Sequence, residues 1–129
     1  MTYFITKTLK DTFSQAKEKI IEALKKEGFG ILTEIDVQAT LKKKLDVDFY
    51  KYEILGACNP SFAYKALELE DKIGVMLPCN VIIQQKNENS SVEVSAINPE
   101  VSMKAVNNQK LELVAGEVQS RLAKVIENL

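Results

Sequence analysis

Histidine and tryptophan are both absent from this chain of 129 residues. Without histidine there is no Ser-His-Asp or Cys-His nucleophile, no His-ligated zinc or haem, and no imidazole to move protons near neutral pH. Cysteine is scarce (two residues), as are proline (three) and glycine (five). None of the glycines falls in a phosphate-cradling pattern. Neither sign of charge is in excess: 17 Lys and Arg stand against 18 Asp and Glu, for a net charge of −1. The chain as a whole therefore has no electrostatic pull toward nucleic acid or anionic lipid. No apolar run approaches the roughly 20 residues of a membrane-spanning helix. The opening Met-Thr-Tyr-Phe-Ile-Thr-Lys lacks the basic start and apolar stretch of a secretory signal. The expectation is a cytoplasmic protein with neither nucleic acid nor a membrane as partner. Its two thiols are then reduced, and no disulfide framework is expected.

The length fits a single domain over 1–129. The chain reads as α+β, with the order β-α-β-(short α)-β-(short α)-β-β-α. About five strands form one mixed or antiparallel sheet, with two main helices on one face. Thr2 to Thr8 is rich in β-branched and aromatic residues and predicts a first strand. Asp11 or Thr12 caps a helix whose apolar stripe is Phe13, Ala16, Ile20, Ala23 and Leu24, and Gly28 closes it. A second strand spans Phe29 to Ile35. Asp36 caps a short helix over Val37 to Leu45, whose last turn carries Lys42, Lys43 and Lys44; the nearby Asp46 and Asp48 mark a solvated helix end rather than a basic patch. In Phe49 to Cys58, the residues Tyr50, Tyr52, Ile54, Gly56 and Cys58 share one parity and predict a buried face that includes Cys58. Asn59 caps, and Pro60 opens, a helix with Phe62, Ala63, Ala66, Leu67 and Leu69 on its apolar side. After a turn at Ile73-Gly74, the residues Val75, Leu77, Cys79, Val81 and Ile83 predict one face of a strand that Pro78 must interrupt or place at an edge. Lys86 to Ser90 is a hairpin loop leading into Val92, Val94 and Ala96. A last helix, broken near Asn107-Asn108, has the strongest 3.6-residue periodicity of the chain, from Leu111 to Leu129. Tyr3, Ile5, Ile82 and Ile97 fall on the opposite side of their strands. An apolar outer face of this kind predicts a homodimer.

The chemistry concentrates at two similar settings, Gly56-Ala57-Cys58-Asn59-Pro60 and Leu77-Pro78-Cys79-Asn80-Val81. The helix start after Cys58 offers free backbone N–H groups and a positive end, which favour a thiolate. Cysteine is also a small hydrophobe that is often simply buried, so burial, a redox or ligand-binding thiol pair, and a metal all stay open. Metal is the weakest of these, because two cysteines without histidine fall short of four ligands; no metal site and no cofactor are assigned. Glu68, Glu70 and Asp71 sit with Lys72 at a helix end and read as surface. Tyr50 and Tyr52 read as core aromatics with hydroxyls at the rim.

The run Tyr52 to Pro60, with Ala63 and Ala66-Leu67 after it, then Leu77 to Val81, together with Gly28-Phe29 and Glu34 to Val37, resembles the family called domain of unknown function 302 over nearly the whole chain. The resemblance implies a compact α+β fold of the TATA-box-binding-protein-like type and homodimers, and it implies no activity. It raises the thiol reading of Cys58 and Cys79, on which both motifs centre.

Three functions follow. The first is a binding module for a small molecule, held by Cys58, Asn59, Cys79, Asn80 and Tyr52. The second is a thiol redox protein or enzyme, with Cys58 attacking and Cys79 resolving as the catalytic candidates. The third is a structural or interaction homodimer with buried cysteines.

Overall fold

The computed structural model describes residues 2–129. Strand β1 (Phe4–Leu9) leads into helix α1 (Phe13–Lys26), followed by β2 (Gly30–Asp36), α2 (Val37–Leu45), β3 (Lys51–Cys58) and α3 (Pro60–Leu69). After a 3-10 turn at Ile73–Met76 come the hairpin strands β4 (Cys79–Gln85) and β5 (Val92–Ile97). The short α4 (Pro99–Ser102) and the long α5 (Gln109–Glu127) complete the fold. The five strands form one sheet in the order β1-β5-β4-β3-β2, and every pairing is antiparallel. Of the mixed or antiparallel sheet expected, the antiparallel one is found.

Local chemistry sets the helix boundaries. Thr12 and Gln15 form a reciprocal capping box at the start of α1, satisfying two backbone donors that would otherwise be orphaned. Gly28 takes φ +87° just past the helix end, where a side chain is costly. Asp36 Oδ1 accepts the Ala39 N–H and caps α2. The Asn107-Asn108 break is real: Asn107 is left-handed at φ 57° and Asn108 accepts the Leu111 N–H to start α5.

Helices α1 and α5 pack on one sheet face. Ile20 and Leu24 of α1, Leu122 and Val125 of α5, and Leu55, Val81, Ile83, Val92 and Val94 of the strands are at most 1% exposed and form the main core. A smaller cluster joins Ala66, Ile73, Met103, Leu111 and Ala115 beneath α3.

The structure corrects four strand-level expectations. On β3 the core face is Leu55 and Ala57, both fully buried, so Tyr52, Ile54 and Gly56 point to the other face. Alternation misled because both faces of β3 are apolar and the charges lie on the helix side: Glu53 is held there by Lys17 at 2.8 Å. Tyr50 and Tyr52 are consequently outer-face aromatics, with Phe49 stacked on Tyr50 at 4.1 Å between ring centroids. Ile5 pairs with buried Ala96 and packs into the core, and Phe4 takes the outer position. Residues 75–78 are not strand: Val75 is 88% exposed and Leu77 joins the smaller cluster. Pro78 follows a cis peptide and precedes β4, which is an inner strand of the sheet, so the proline breaks the run and does not mark an edge.

Candidate functional site

The two core clusters do not close on each other. Between them lies a cavity of about 300 Å³, bounded by Phe62, Ala63, Ala66 and Leu67 of α3, by Val114, Ala115 and Val118 of α5, and by the end of the sheet. It exists because the facing positions are small. Ala57, Ala63, Ala66 and Ala115 all line it, and at any of these four positions a leucine would occupy much of the space. Helix α3 holds the gap open because it stands at the end of the sheet and packs mainly on α5.

Cys58, Asn59 and Cys79 meet at this cavity. In the β3–β4 ladder Ala57 is opposite Cys79; Cys58, the last residue of β3, is one position out of register with Cys79 and reaches the same cavity from the strand end. Cys79 begins β4 on the inward parity, as expected, and is 9% exposed. Cys58 ends β3 off that parity and is half-buried. Both are free thiols. Burial pushes the Cys79 thiol up to about 11, and the neighbouring Cys58 adds to the effect; a buried thiol resists ionisation because the thiolate loses its hydration.

Asn59 occupies the cap position of α3, yet its side chain makes no capping hydrogen bond. Its amide nitrogen instead donates to the Glu27 carbonyl at 3.4 Å, and Arg121 donates to the same carbonyl at 3.3 Å. The amide also lies against Gly28, where a Cβ would come within 2.9 Å of Nδ2. Asn59 thus fastens the end of α1 to the start of α3 and leaves the N–H groups of the first turn of α3 without a side-chain cap.

Tyr52 and Asn80 are not part of this site. They lie across the sheet, where Tyr3, Phe4, Tyr52, Asn80, Ile82 and Gln84 line a shallow groove of about 350 Å³. Burial, and then the nearby Tyr50 and Tyr3, push the Tyr52 hydroxyl above its ordinary range. The ligand-binding set expected from the motifs therefore divides between two faces: Cys58, Asn59 and Cys79 on the helix side, Tyr52 and Asn80 on the open side. The register explains this, because Asn80 follows inward-facing Cys79 and must face outward. Ala57, Ala63 and Ala66 stand in or beside the motifs without having been assigned to the site, and Ala115 and Met103 lie outside them. Their signal was the pair of alanines on the apolar side of α3, which marks a helix face too small to fill the space in front of it.

Among the described residues, no group of three or more His, Cys, Asp or Glu side chains is placed to hold a metal ion. No helix among the described residues is long and apolar enough to cross a membrane.

No curated protein matches the chain. Among solved structures, the crystal structure of an uncharacterised conserved DUF302 protein from Bacillus stearothermophilus is similar at 27% identity, over 98% of each chain, with a TM-score of 0.90. The family model described as domain of unknown function DUF302 matches residues 5–129. With that match spanning both cysteine motifs and every strand but the first residue of β1, the chain belongs to the DUF302 family.

Proposed function

We propose that this protein is a binding module for a small, mainly apolar molecule, held in the cavity between α3, α5 and the end of the sheet. The observation that carries this reading is the alanine-lined gap of about 300 Å³ between two otherwise closed core clusters. Ligand sites are typically concave, apolar and largely preformed, with a few polar groups fixing orientation; here those groups are the Cys58 and Cys79 thiols. An apolar cavity of half this size holds a benzene ring, so the occupant has on the order of ten to twelve non-hydrogen atoms.

The test is a titration of isotopically labelled protein with naphthalene and with linear alcohols of about eight to ten carbons. Saturable amide shifts confined to α3, α5 and the ends of β3 and β4 are expected. A ligand at about 100 times its Kd adds roughly 2.7 kcal/mol of stability. Ala63→Phe fills the gap from α3: it abolishes those shifts while the chain stays folded. Shifts that survive Ala63→Phe unchanged place the probe elsewhere and overturn the reading.

The redox alternative asks Cys79 to resolve as a thiolate, and its burial opposes this. The apolar groove on the open sheet face favours a second reading at the level of assembly, a homodimer that covers Tyr3, Phe4 and Ile82; exposed apolar faces of this kind commonly mark interfaces.

A further inference from the structure

The sulfur end of the cavity has a donor set of its own. The lining carries no carboxylate and no hydroxyl, and the chain has no histidine. Its side-chain heteroatoms are the thiols of Cys58 and Cys79, the thioether of Met103 and the amide of Asn59, whose nitrogen is engaged with the Glu27 carbonyl. We propose that Cys58 and Cys79 together form a site for a soft monovalent metal ion, copper(I). This goes beyond the apolar-ligand reading and does not rest on it.

Three observations support the assignment. Both cysteines line the one cavity, Cys58 from the last position of β3 and Cys79 from the first position of the adjacent β4, and both are free thiols. Thiolate and thioether donors select copper(I), whereas zinc demands four ligands that this site lacks and hard cations demand oxygen; a copper(I) ion is satisfied by two thiolates, so the want of a larger cluster does not count against it. The complex carries one net negative charge, since two thiolates meet one positive ion. The start of α3, immediately after Cys58 and without a side-chain cap, offers that charge N–H groups and the positive end of a ten-residue helix. On binding, each thiol gives up its proton to solvent and a sulfur–copper bond replaces each S–H bond. No electron is transferred.

The experiment is an anaerobic titration of the reduced full chain with copper(I) against bicinchoninate as competing chelator, with stoichiometry read by native mass spectrometry. One ion per chain is expected, with a thiolate-to-copper charge-transfer band in the near ultraviolet and no binding of zinc in the same buffer. Cys58→Ser and Cys79→Ala, each first shown to be folded by thermal unfolding, are expected to weaken binding by more than about 100-fold. Cys58 is half-buried, so Cys58→Ser alone decides the matter if the other variant does not fold. Binding by either single variant as tight as in the parent chain overturns the proposal. So does a stoichiometry of one ion per two chains, or a parent chain that binds no better than the variant lacking both thiols.

Discussion

Gly56 is fixed by what crosses it. A Cβ there would collide with Thr33 Oγ1 and stand 2.8 Å from Pro78 Cγ, at the place where the β2–β3 register shifts between Ile31 and Thr33. Thr33 is held in the middle of β2, paired with Gly56 itself, and Pro78 is held just before the start of β4, so neither can withdraw cheaply. Gly56→Ala is expected to cost about 1–3 kcal/mol through overpacking, visible as a Tm lowered by roughly 5–10 °C. An unchanged Tm would mean that the crossing relaxes freely. The Cys79 thiol offers a second test at this scale, in metal-free protein. Its ionisation is shifted from 9.0 to about 11, so the folded chain holds this proton more tightly than the unfolded one. Its contribution to stability is therefore fully present below about pH 9 and is lost as pH rises from there toward about 11. In Cys58→Ser protein, the alkylation rate of Cys79 by iodoacetamide should climb about tenfold per pH unit from 8 to 10 without levelling off. A plateau near pH 9 would show an ordinary, hydrated thiol.

Helix α1 is locked to the sheet by a charge as well as by its apolar stripe. Lys17 Nζ lies 2.7 Å from Glu34 and 2.8 Å from Glu53, joining α1 to β2 and β3. These hydrogen bonds, that with Glu34 first and that with Glu53 next, raise the lysine's pKa above 10.5, with burial opposing them. The stabilisation is present below that ordinary value and is lost as pH rises through the higher folded-state value. Lys17→Met leaves two carboxylates side by side, Glu53 among them largely shielded, and is expected to cost about 1 kcal/mol in urea unfolding at neutral pH. Adding Glu53→Gln should recover part of that loss, and strictly additive costs would show that the pair is uncoupled. Helix α5 is held chiefly by its apolar stripe, in which Leu111, Ala115, Val118, Leu122, Val125 and Ile126 are all buried along one side. This stripe was legible in the sequence because 3.6-residue periodicity over nineteen residues has no competing explanation. The β3 parity was not legible: both of its faces are apolar, and only the position of α1, with Lys17 reaching Glu53, decides which face is the core.

At the scale of the whole molecule, α1 and α5 cover one side of the sheet, and the other presents Tyr3, Phe4, Tyr52 and Ile82. Phe4 is 38% and Tyr3 68% exposed, a large apolar area for one face of a small protein. Ile82→Glu puts a charge in the middle of that face without touching the core. Light scattering after gel filtration should give a dimer for the parent chain and a monomer for this variant. A parent chain that elutes as a monomer, or an Ile82→Glu chain that stays dimeric, removes the interface from this surface. The same variant should bind naphthalene and copper(I) as the parent does, because the cavity lies on the opposite side of the sheet.

The sequence by itself determined the α+β class, a helix start at Asp11 or Thr12 and another at Asp36, the break near Asn107-Asn108, the left-handed Gly28, the β4–β5 hairpin and the inward parity of Cys79. These rest on local rules, namely caps, turn residues and unambiguous periodicity, that act within a few residues. Only the tertiary structure decided that Cys58 reaches the cavity from the end of its strand, that Tyr52 and Asn80 face away from it, and that Asn59 fastens α1 rather than capping α3. It also decided that four alanines from three elements leave a space between two cores. A cavity is the volume that side chains from distant segments fail to fill, and no local pattern records it until the strand register and the stand-off of α3 bring those segments face to face.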